Sequence, residues 1–212
     1  KLWISSADGI YLYDIEKDSF RRAKGDTLFQ THPMGLHRDS QDMVWCFTYD
    51  SGLFRFRLAE DIDGQPTVHD CTHIGTPAGI LSFKESDGKV WITTIQGIYS
   101  YDGKLWRHEF YGKGMSSNCV RSIEFDSKGG IWVGTDFGLN RIEPATNSVS
   151  AYFIENGLPA NEFRARASLY ASDGTMYFGT IGGMSRFVPS DFSLSSHSNA
   201  PRVSFAVVGG ER

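Results

Sequence analysis

Three side chains of zinc-binding types stand close together in the sequence. His69, Cys71 and His73 are separated by one residue each. On a β-strand, residues at i, i+2 and i+4 project from one face, so an imidazole, a thiolate and a second imidazole would lie side by side. No fourth ligand follows nearby, and the segment is predicted to be an outer strand. These residues are therefore a zinc candidate with an incomplete ligand set, and solvated side chains are the simpler interpretation.

The motifs of common catalytic sites are absent from the sequence. It contains no Gly-x-Ser-x-Gly elbow, no phosphate-cradling glycine loop and no His-Glu-x-x-His pair. The six histidines have no fixed spacing from a carboxylate. The sequence therefore predicts a chain that is not itself an enzyme and that binds no cofactor.

Composition restricts the partners of the chain. Its 212 residues include 21 basic and 25 acidic side chains, and the net charge of −4 is opposite to the basic excess of proteins that bind nucleic acid. No apolar run approaches the roughly 18 to 20 residues of a membrane helix, so we expect no membrane contact. Cys46, Cys71 and Cys119 are too few and too widely spaced for a disulfide framework.

An aromatic residue followed by a glycine recurs five times along the chain. The aromatic anchors are Trp3, Trp45, Trp91, Trp132 and Tyr177. They are spaced 41 to 46 residues apart, and a glycine follows each after six residues, or after seven in the second repeat. This period fits four short strands or two to three helices per repeat. Apolar and polar residues alternate around the anchors, which favours strands.

Each repeat predicts a four-stranded antiparallel meander, with strands A to D and the anchor on strand B. Strand D is predicted at 19–22, 67–74, 105–110 and 149–154. Asp87-Gly88 and Asp173-Gly174 suit two-residue hairpins, in which both residues have a positive φ.

The anchors are predicted to pack between sheets. Apolar runs such as 131–133 require a strand that is covered on both faces, and radial packing of sheets covers both. The predicted fold class is therefore all-β, a β-propeller of about five four-stranded blades whose first blade lacks strand A. We expect these blades to be a fragment of a larger propeller. Buried aromatic anchors would fill the space between blades.

Two long segments of the fourth and fifth repeats point to a known family. IWVGTDFGLNRIEP (131–144) and SVSAYFIENGLPANEF (148–163) resemble the two-component regulator propeller repeat, and YFGTIGGMSRFVPSDF (177–192) resembles its closing blade. The resemblance covers about residues 1–192 and implies that the chain is part of the extracytoplasmic sensor region of a hybrid sensor kinase or a related diguanylate cyclase. It also implies that 193–212 hold a linker and the first strand of an immunoglobulin-like Tyr-rich domain.

The meander predicts which loops could bind a ligand. The B–C turns and D–A loops share one face, and they are longer and more varied than the A–B turns opposite. Their amides, carboxylates, guanidinium and aromatic rings suit a polar ligand such as a sugar. The candidates for ligand contact are His32, Tyr49, Gln96, Asn118, Asp136, Phe137, Asn161, Glu162 and Arg164. Asn118 and Asn161 precede strand A at equivalent points, so they could instead hold their loops by hydrogen bonds to the backbone.

Three functional hypotheses stay open at this point. The resemblance implies a non-catalytic segment of a bacterial inner-membrane receptor, periplasmic or extracellular, that binds a small molecule or oligosaccharide and self-associates through the receptor. An architectural or protein-binding propeller module is the first alternative. A streptogramin-lyase-like enzyme is the second, because that family shares a related Trp motif, and it requires histidine and carboxylate groups over the channel mouth.

Overall fold

The structure is a computed structural model that describes residues 1–25, 33–48, 51–77, 79–191 and 204–206. The chain divides into two compact units, Lys1–Ile80 and Leu81–Arg212. Within the described residues, the regular structure consists of β-strands and two single 3₁₀ turns, at Ile154–Asn156 and Pro189–Asp191. The predicted all-β class is confirmed.

The first unit contains a three-stranded and a four-stranded antiparallel sheet, each with its strands in sequence order. The first sheet consists of β1 (Leu2–Ser6), β2 (Gly9–Asp14) and β3 (Ser19–Arg22). The second consists of β4 (Pro33–Arg38), β5 (Val44–Thr48), β6 (Gly52–Glu60) and β7 (Pro66–Ile74). β1 to β3 occupy positions B to D of the predicted meander, and β4 to β7 occupy positions A to D.

The second unit contains three four-stranded meanders. The third sheet consists of β8 (Ile80–Ser86), which starts at the unit boundary, β9 (Lys89–Thr94), β10 (Gly97–Tyr101) and β11 (Trp106–Glu109). The fourth consists of β12 (Val120–Phe125), β13 (Ile131–Thr135), β14 (Gly138–Glu143) and β15 (Ser148–Tyr152). The fifth consists of β16 (Phe163–Tyr170), β17 (Met176–Thr180), β18 (Gly183–Phe187) and β19 (Ser204–Ala206). These sheets are propeller blades, as the repeat predicts.

The last strand lies inside the segment that the resemblance assigns to a following domain. β19 pairs with β18 and is the outermost strand of the fifth sheet. Residues 192–203 and 207–212 lie outside the described part of the chain. The boundary at 192 and the immunoglobulin-like domain beyond it therefore stay predictions.

Most anchors are buried between sheets, as predicted. In the first unit, Trp3 is half-buried and packs on a core that includes Ile10, Val44 and Phe56. In the second unit, Trp91 packs against β12 to β14. Trp132 is fully buried against the fifth sheet, where the Phe187 ring lies 4.8 Å from its own. Trp45 is also buried.

Tyr177 departs from this pattern. It is only half-buried and lines an open concave surface on the fifth sheet. Among the described residues, Tyr177 is therefore only partly covered.

The A–B turns come in two forms. Asp87 and Gly88 have φ values of 51° and 69°, which confirms the two-residue hairpin there. The prediction is wrong for Asp173-Gly174, because only Gly174 has a positive φ and the loop closes from Ala171 to Thr175. This wider loop is a three-residue hairpin with Gly174 as its left-handed residue.

Candidate ligand-binding site

The B–C turns of the second unit are closed by a threonine at the end of strand B. Thr135 Oγ1 donates to the carbonyl of Gly138 at 2.8 Å and accepts from the amide of Phe137 at 3.0 Å. Thr94 and Thr180 make the same two bonds in their own turns. The threonine at the end of strand B is therefore structural, and the variable residues between this threonine and the turn glycine form the tip of each turn.

Gly138 shows why the turn needs glycine. Its φ is +104°, and an added Cβ would lie 2.8 Å from the Phe153 ring and 2.9 Å from the Tyr152 carbonyl oxygen. The turn therefore fits closely against the following D–A loop. This contact fixes the direction in which Asp136 and Phe137 are presented.

Arg121 is aimed at this turn by a β-bulge. Val120 pairs with Thr135 and Ser122 pairs with Gly134, so Arg121 is the extra residue on β12. Bulges reorient side chains near functional sites. Arg121 Nε donates to Asp136 Oδ1, and the two side chains remain 31% and 37% exposed. The pair is therefore accessible to a ligand.

Cys119 and Glu162 complete a charged cluster around this pair. The hydrogen bond from Arg121 holds the pKa of the Asp136 carboxyl below its usual value, and Cys119 adds a further hydrogen bond. Burial, together with the bond to Asp136, raises the pKa of the Cys119 thiol to about 11. The hydrogen bond to Asp136 is also the main reason that the pKa of Arg121 is raised, and the negative charge of Glu162 raises it further. The cluster thus combines an exposed ion pair with a protonated thiol.

The D–A loop before β16 connects two neighbouring turns. The Asn161 carbonyl accepts from the Gly138 amide at 2.7 Å, and its side-chain oxygen accepts from the Ile154 amide at 2.8 Å. The Glu162 carbonyl accepts from the Ile181 amide at 3.0 Å. Asn161 therefore holds its loop in place, which is the structural alternative considered for it.

The structure brings several of the predicted residues together. Asp136, Phe137, Asn161 and Glu162 meet at the junction of the fourth and fifth sheets through the bonds described above. Phe137 is 56% exposed, and its ring lies 5.4 Å from that of Phe153.

The remaining candidates differ in position. Arg164 and Asn118 are exposed beside the first residues of β16 and β12. Gln96 is exposed at the B–C turn of the third sheet, where its carbonyl accepts from His108 Nε2 at 3.0 Å. His32 and Tyr49 lie outside the described residues. Ligand contact by any of these residues stays a prediction.

Sequence reasoning missed three members of the site. Arg121, Cys119 and Phe153 lie in or beside β12 and the D–A loop, and none was a candidate. Strict alternation along β12 gives no sign of the bulge that turns Arg121 towards Asp136. One feature of the sequence could have indicated the pair. An arginine lies one residue into strand A, and an aspartate of opposite charge lies at the following B–C turn.

The predicted zinc candidate does not form a site. Arg55 of β6 pairs with Thr72 of β7, and Arg57 pairs with His69. Between these two pairs β7 has one residue more than β6, and Asp70 in this interval has a φ of 53°. This bulge breaks the alternation that would place the three side chains on one face.

Each of the three candidate ligands has a separate environment. His69 Nε2 bonds to the Thr67 hydroxyl at 2.7 Å, and His73 Nε2 bonds to the Ser51 carbonyl at 2.6 Å. Cys71 packs against the core of the first unit. Across the described ranges, no group of three or more His, Cys, Asp or Glu side chains is placed to hold a metal ion.

Comparisons with known proteins support the fold and the repeat. The two component regulator propeller family matches residues 114–137, the segment that carries Cys119, Arg121 and Asp136. Histidine kinase P4 of Formosa agariphila is 28% identical over 107 residues, which are 50% of this chain and 8% of that protein. The recognition of this propeller repeat is therefore confirmed, and the chain spans a small part of the kinase it matches.

Solved structures show the same fold at low sequence identity. The extracellular domain of a putative hybrid two component system from B. thetaiotaomicron has a TM-score of 0.60 and 15% identity, with 98% of this chain and 37% of that chain covered. Virginiamycin B lyase from Staphylococcus aureus has a TM-score of 0.61 and 17% identity, with 89% and 63% covered. The chain thus contains β-propeller blades with the fold seen in these domains and carries the two component regulator propeller repeat. None of its described helices is long and apolar enough to span a membrane.

Proposed function

We propose that this chain is the ligand-recognition part of the extracytoplasmic sensor region of a bacterial membrane receptor, and that it is not itself catalytic. The observation that supports this most strongly is the cluster of Arg121, Asp136 and Glu162 beside the exposed ring of Phe137. It lies on the loop face predicted to bind ligands, and Arg121, Asp136 and Phe137 are within the segment 114–137 that matches the family.

The chemistry of the cluster suits a ligand rich in hydroxyl groups. A guanidinium has five N–H donors, and a carboxylate has about four acceptor positions, so one bond between Arg121 and Asp136 leaves most of their capacity unused. Phe137 offers an apolar surface against which the C–H face of a sugar ring can pack. We therefore assign a small polar molecule or an oligosaccharide as the ligand class.

Calorimetry of the chain against a panel of oligosaccharides tests this function. We expect binding by at least one member, and a loss of at least about tenfold in affinity for Asp136→Asn and Arg164→Ala. Asp87→Asn is the matched control, because Asp87 is exposed at an A–B turn on the opposite face. Binding that is unchanged in both site variants would place the ligand elsewhere, and an absence of heat with every panel member would favour the architectural hypothesis.

The lyase hypothesis has weaker support. The similarity to virginiamycin B lyase is one of fold at 17% identity, and fold alone does not carry an activity. The described histidines at 73 and 108 bind backbone carbonyls of their own B–C turns. These contacts give the two rings a structural role in the turns.

The location and the output of the receptor follow from the same proposal. The related solved domains are extracellular parts of two-component systems, so we place this chain on the periplasmic or extracellular side of the inner membrane. A kinase or diguanylate cyclase module of the longer protein would then receive the signal.

A further inference from the structure

Three aromatic rings lie in contact beside the B–C turn of the third sheet. Tyr99 is buried, and the His108 ring stacks on it with 4.3 Å between ring centroids and 13° between ring planes. The Tyr111 ring also contacts that of His108, with 4.7 Å between centroids. Tyr111 belongs to the D–A loop and is 66% exposed, so it presents an aromatic surface on the loop face.

The second sheet has the inner two rings of this arrangement and a threonine in place of the third. His73 stacks on Phe54 with 4.7 Å between ring centroids and binds a carbonyl of its own B–C turn, as His108 does in the third sheet. Thr76 follows His73 at the spacing at which Tyr111 follows His108. The two inner rings therefore hold a B–C turn without a third ring, and the turn does not need Tyr111.

The backbone directly before Tyr111 has an unusual conformation. Phe110 has a φ of 56°, which bulky residues rarely adopt. Phe110 packs on the core between the third and fourth sheets, whereas the next side chain, Tyr111, remains exposed. The turn thus directs one of two adjacent aromatic rings to the core and the other to solvent. Backbone strain of this kind is concentrated at functional sites.

The loop that carries Tyr111 continues to the candidate ligand-binding site. The Ser116 amide donates to Asn140 Oδ1 at 2.9 Å, and Asn140 Nδ2 donates to Ser116 Oγ at 2.7 Å. The Cys119 carbonyl accepts from the Asp136 amide at 3.1 Å. One loop, held to the fourth sheet by these bonds, therefore joins the exposed ring of Tyr111 to the turn that carries Asp136.

We propose that Tyr111 is a second ring-packing subsite for the same ligand, and that the ligand is an oligosaccharide of several sugar units. Phe137 and Tyr111 belong to neighbouring sheets, which pack about 10 Å apart, so a single sugar unit does not reach both rings. The exposed side-chain amide of Gln96, at the B–C turn that His108 holds, supplies donors and an acceptor for hydroxyl groups. This inference rests on the proposed function and adds the length of the ligand to it.

Calorimetry with cello- and malto-oligosaccharides, each from glucose to the hexasaccharide, tests the second subsite. We expect the affinity of the wild type to rise with the length of the sugar. Tyr111→Ala should lower the affinity for the long members at least about tenfold, because the ring on which the additional sugar packs is lost. Short members that bind should keep their affinity. Tyr111→Phe retains the ring and should bind like the wild type.

The controls separate this subsite from the rest of the proposed function. Leu105→Ala is the matched control, because Leu105 is 63% exposed on the C–D turn of the same sheet, opposite the loop face, and should bind like the wild type. Circular dichroism would verify that the variants fold. Long members that bind wild type and Tyr111→Ala equally, or an equal loss for short and long members, would overturn the subsite and leave the proposed function standing. A wild type that binds no member of either series would overturn both.

Discussion

The Trp anchors differ in how their indole N–H groups are satisfied. Trp132 Nε1 donates to Asp126 Oδ2 at 3.0 Å, and Trp45 Nε1 donates to Asp39 Oδ2 at 2.9 Å. Both aspartates also accept backbone amides of their wide A–B turns. Trp91 follows the tight Asp87-Gly88 hairpin, and its buried Nε1 has no hydrogen-bond partner among the described residues.

This difference predicts unequal effects of the same substitution. Trp132→Phe removes the hydrogen bond that the indole donates to Asp126, whereas Trp91→Phe removes a buried donor that is already unsatisfied. We expect Trp91→Phe to lower the free energy of unfolding, measured with urea, by about 1 to 2 kcal/mol less than Trp132→Phe does. An equal or larger loss at Trp91 would contradict this account.

The alkylation rate of Cys119 tests the contacts of the candidate site in the absence of a ligand. Its raised pKa, about 11, predicts slow alkylation near neutral pH, with a rate that keeps rising with pH up to that value. Asp136→Asn removes a negative charge and an acceptor, so the thiolate becomes easier to form and alkylation at neutral pH should accelerate several-fold. Peptide mapping after iodoacetamide treatment measures this rate.

Cys46 serves as the internal control for that measurement. Burial raises the pKa of its thiol to about 12, and it lies in the core of the first unit. Its alkylation rate should be the same in the wild type and in Asp136→Asn. An unchanged Cys119 rate in the variant would show that the thiol and the carboxylate do not interact.

At the scale of the elements, hydrogen bonds and close packing fix the backbone of each B–C turn, while the residues at its tip vary. Gly138→Ala should cost about 3 kcal/mol or more in unfolding free energy, because the new Cβ would meet both the Phe153 ring and the Tyr152 carbonyl. Gly88→Ala is the matched control, since Gly88 also has a positive φ but open space around its Cβ position. It should cost only about 1 kcal/mol. Equal losses in urea unfolding would show that the contact with the D–A loop is unimportant.

Strand positions could be predicted from sequence because they depend on local pattern. Strand D was expected at 19–22 and 67–74, and the structure has Ser19–Arg22 and Pro66–Ile74. Bulges could not be predicted, because they depend on how a strand meets its partner. One bulge at Asp70 breaks the alternation on which the zinc candidate depends, and another at Arg121 places its side chain against Asp136, a pair that the sequence pattern does not indicate.

At the scale of the whole molecule, the repeat explains the succession of similar four-stranded sheets. Blades of one design pack successively, so a repeat array is a series of similar interfaces between neighbours. The anchors could be recognised from sequence as packing residues.

The central claim is that the loop face at the junction of the fourth and fifth sheets recognises a ligand. Amide hydrogen exchange of the intact chain, with and without each member of the oligosaccharide panel, tests it most directly. We predict slower exchange at 117–121, 136–138 and 161–164 with at least one member, and no change in the A–B turn at 126–130. Protection confined to the A–B turns, or no protection with any member, would contradict the claim.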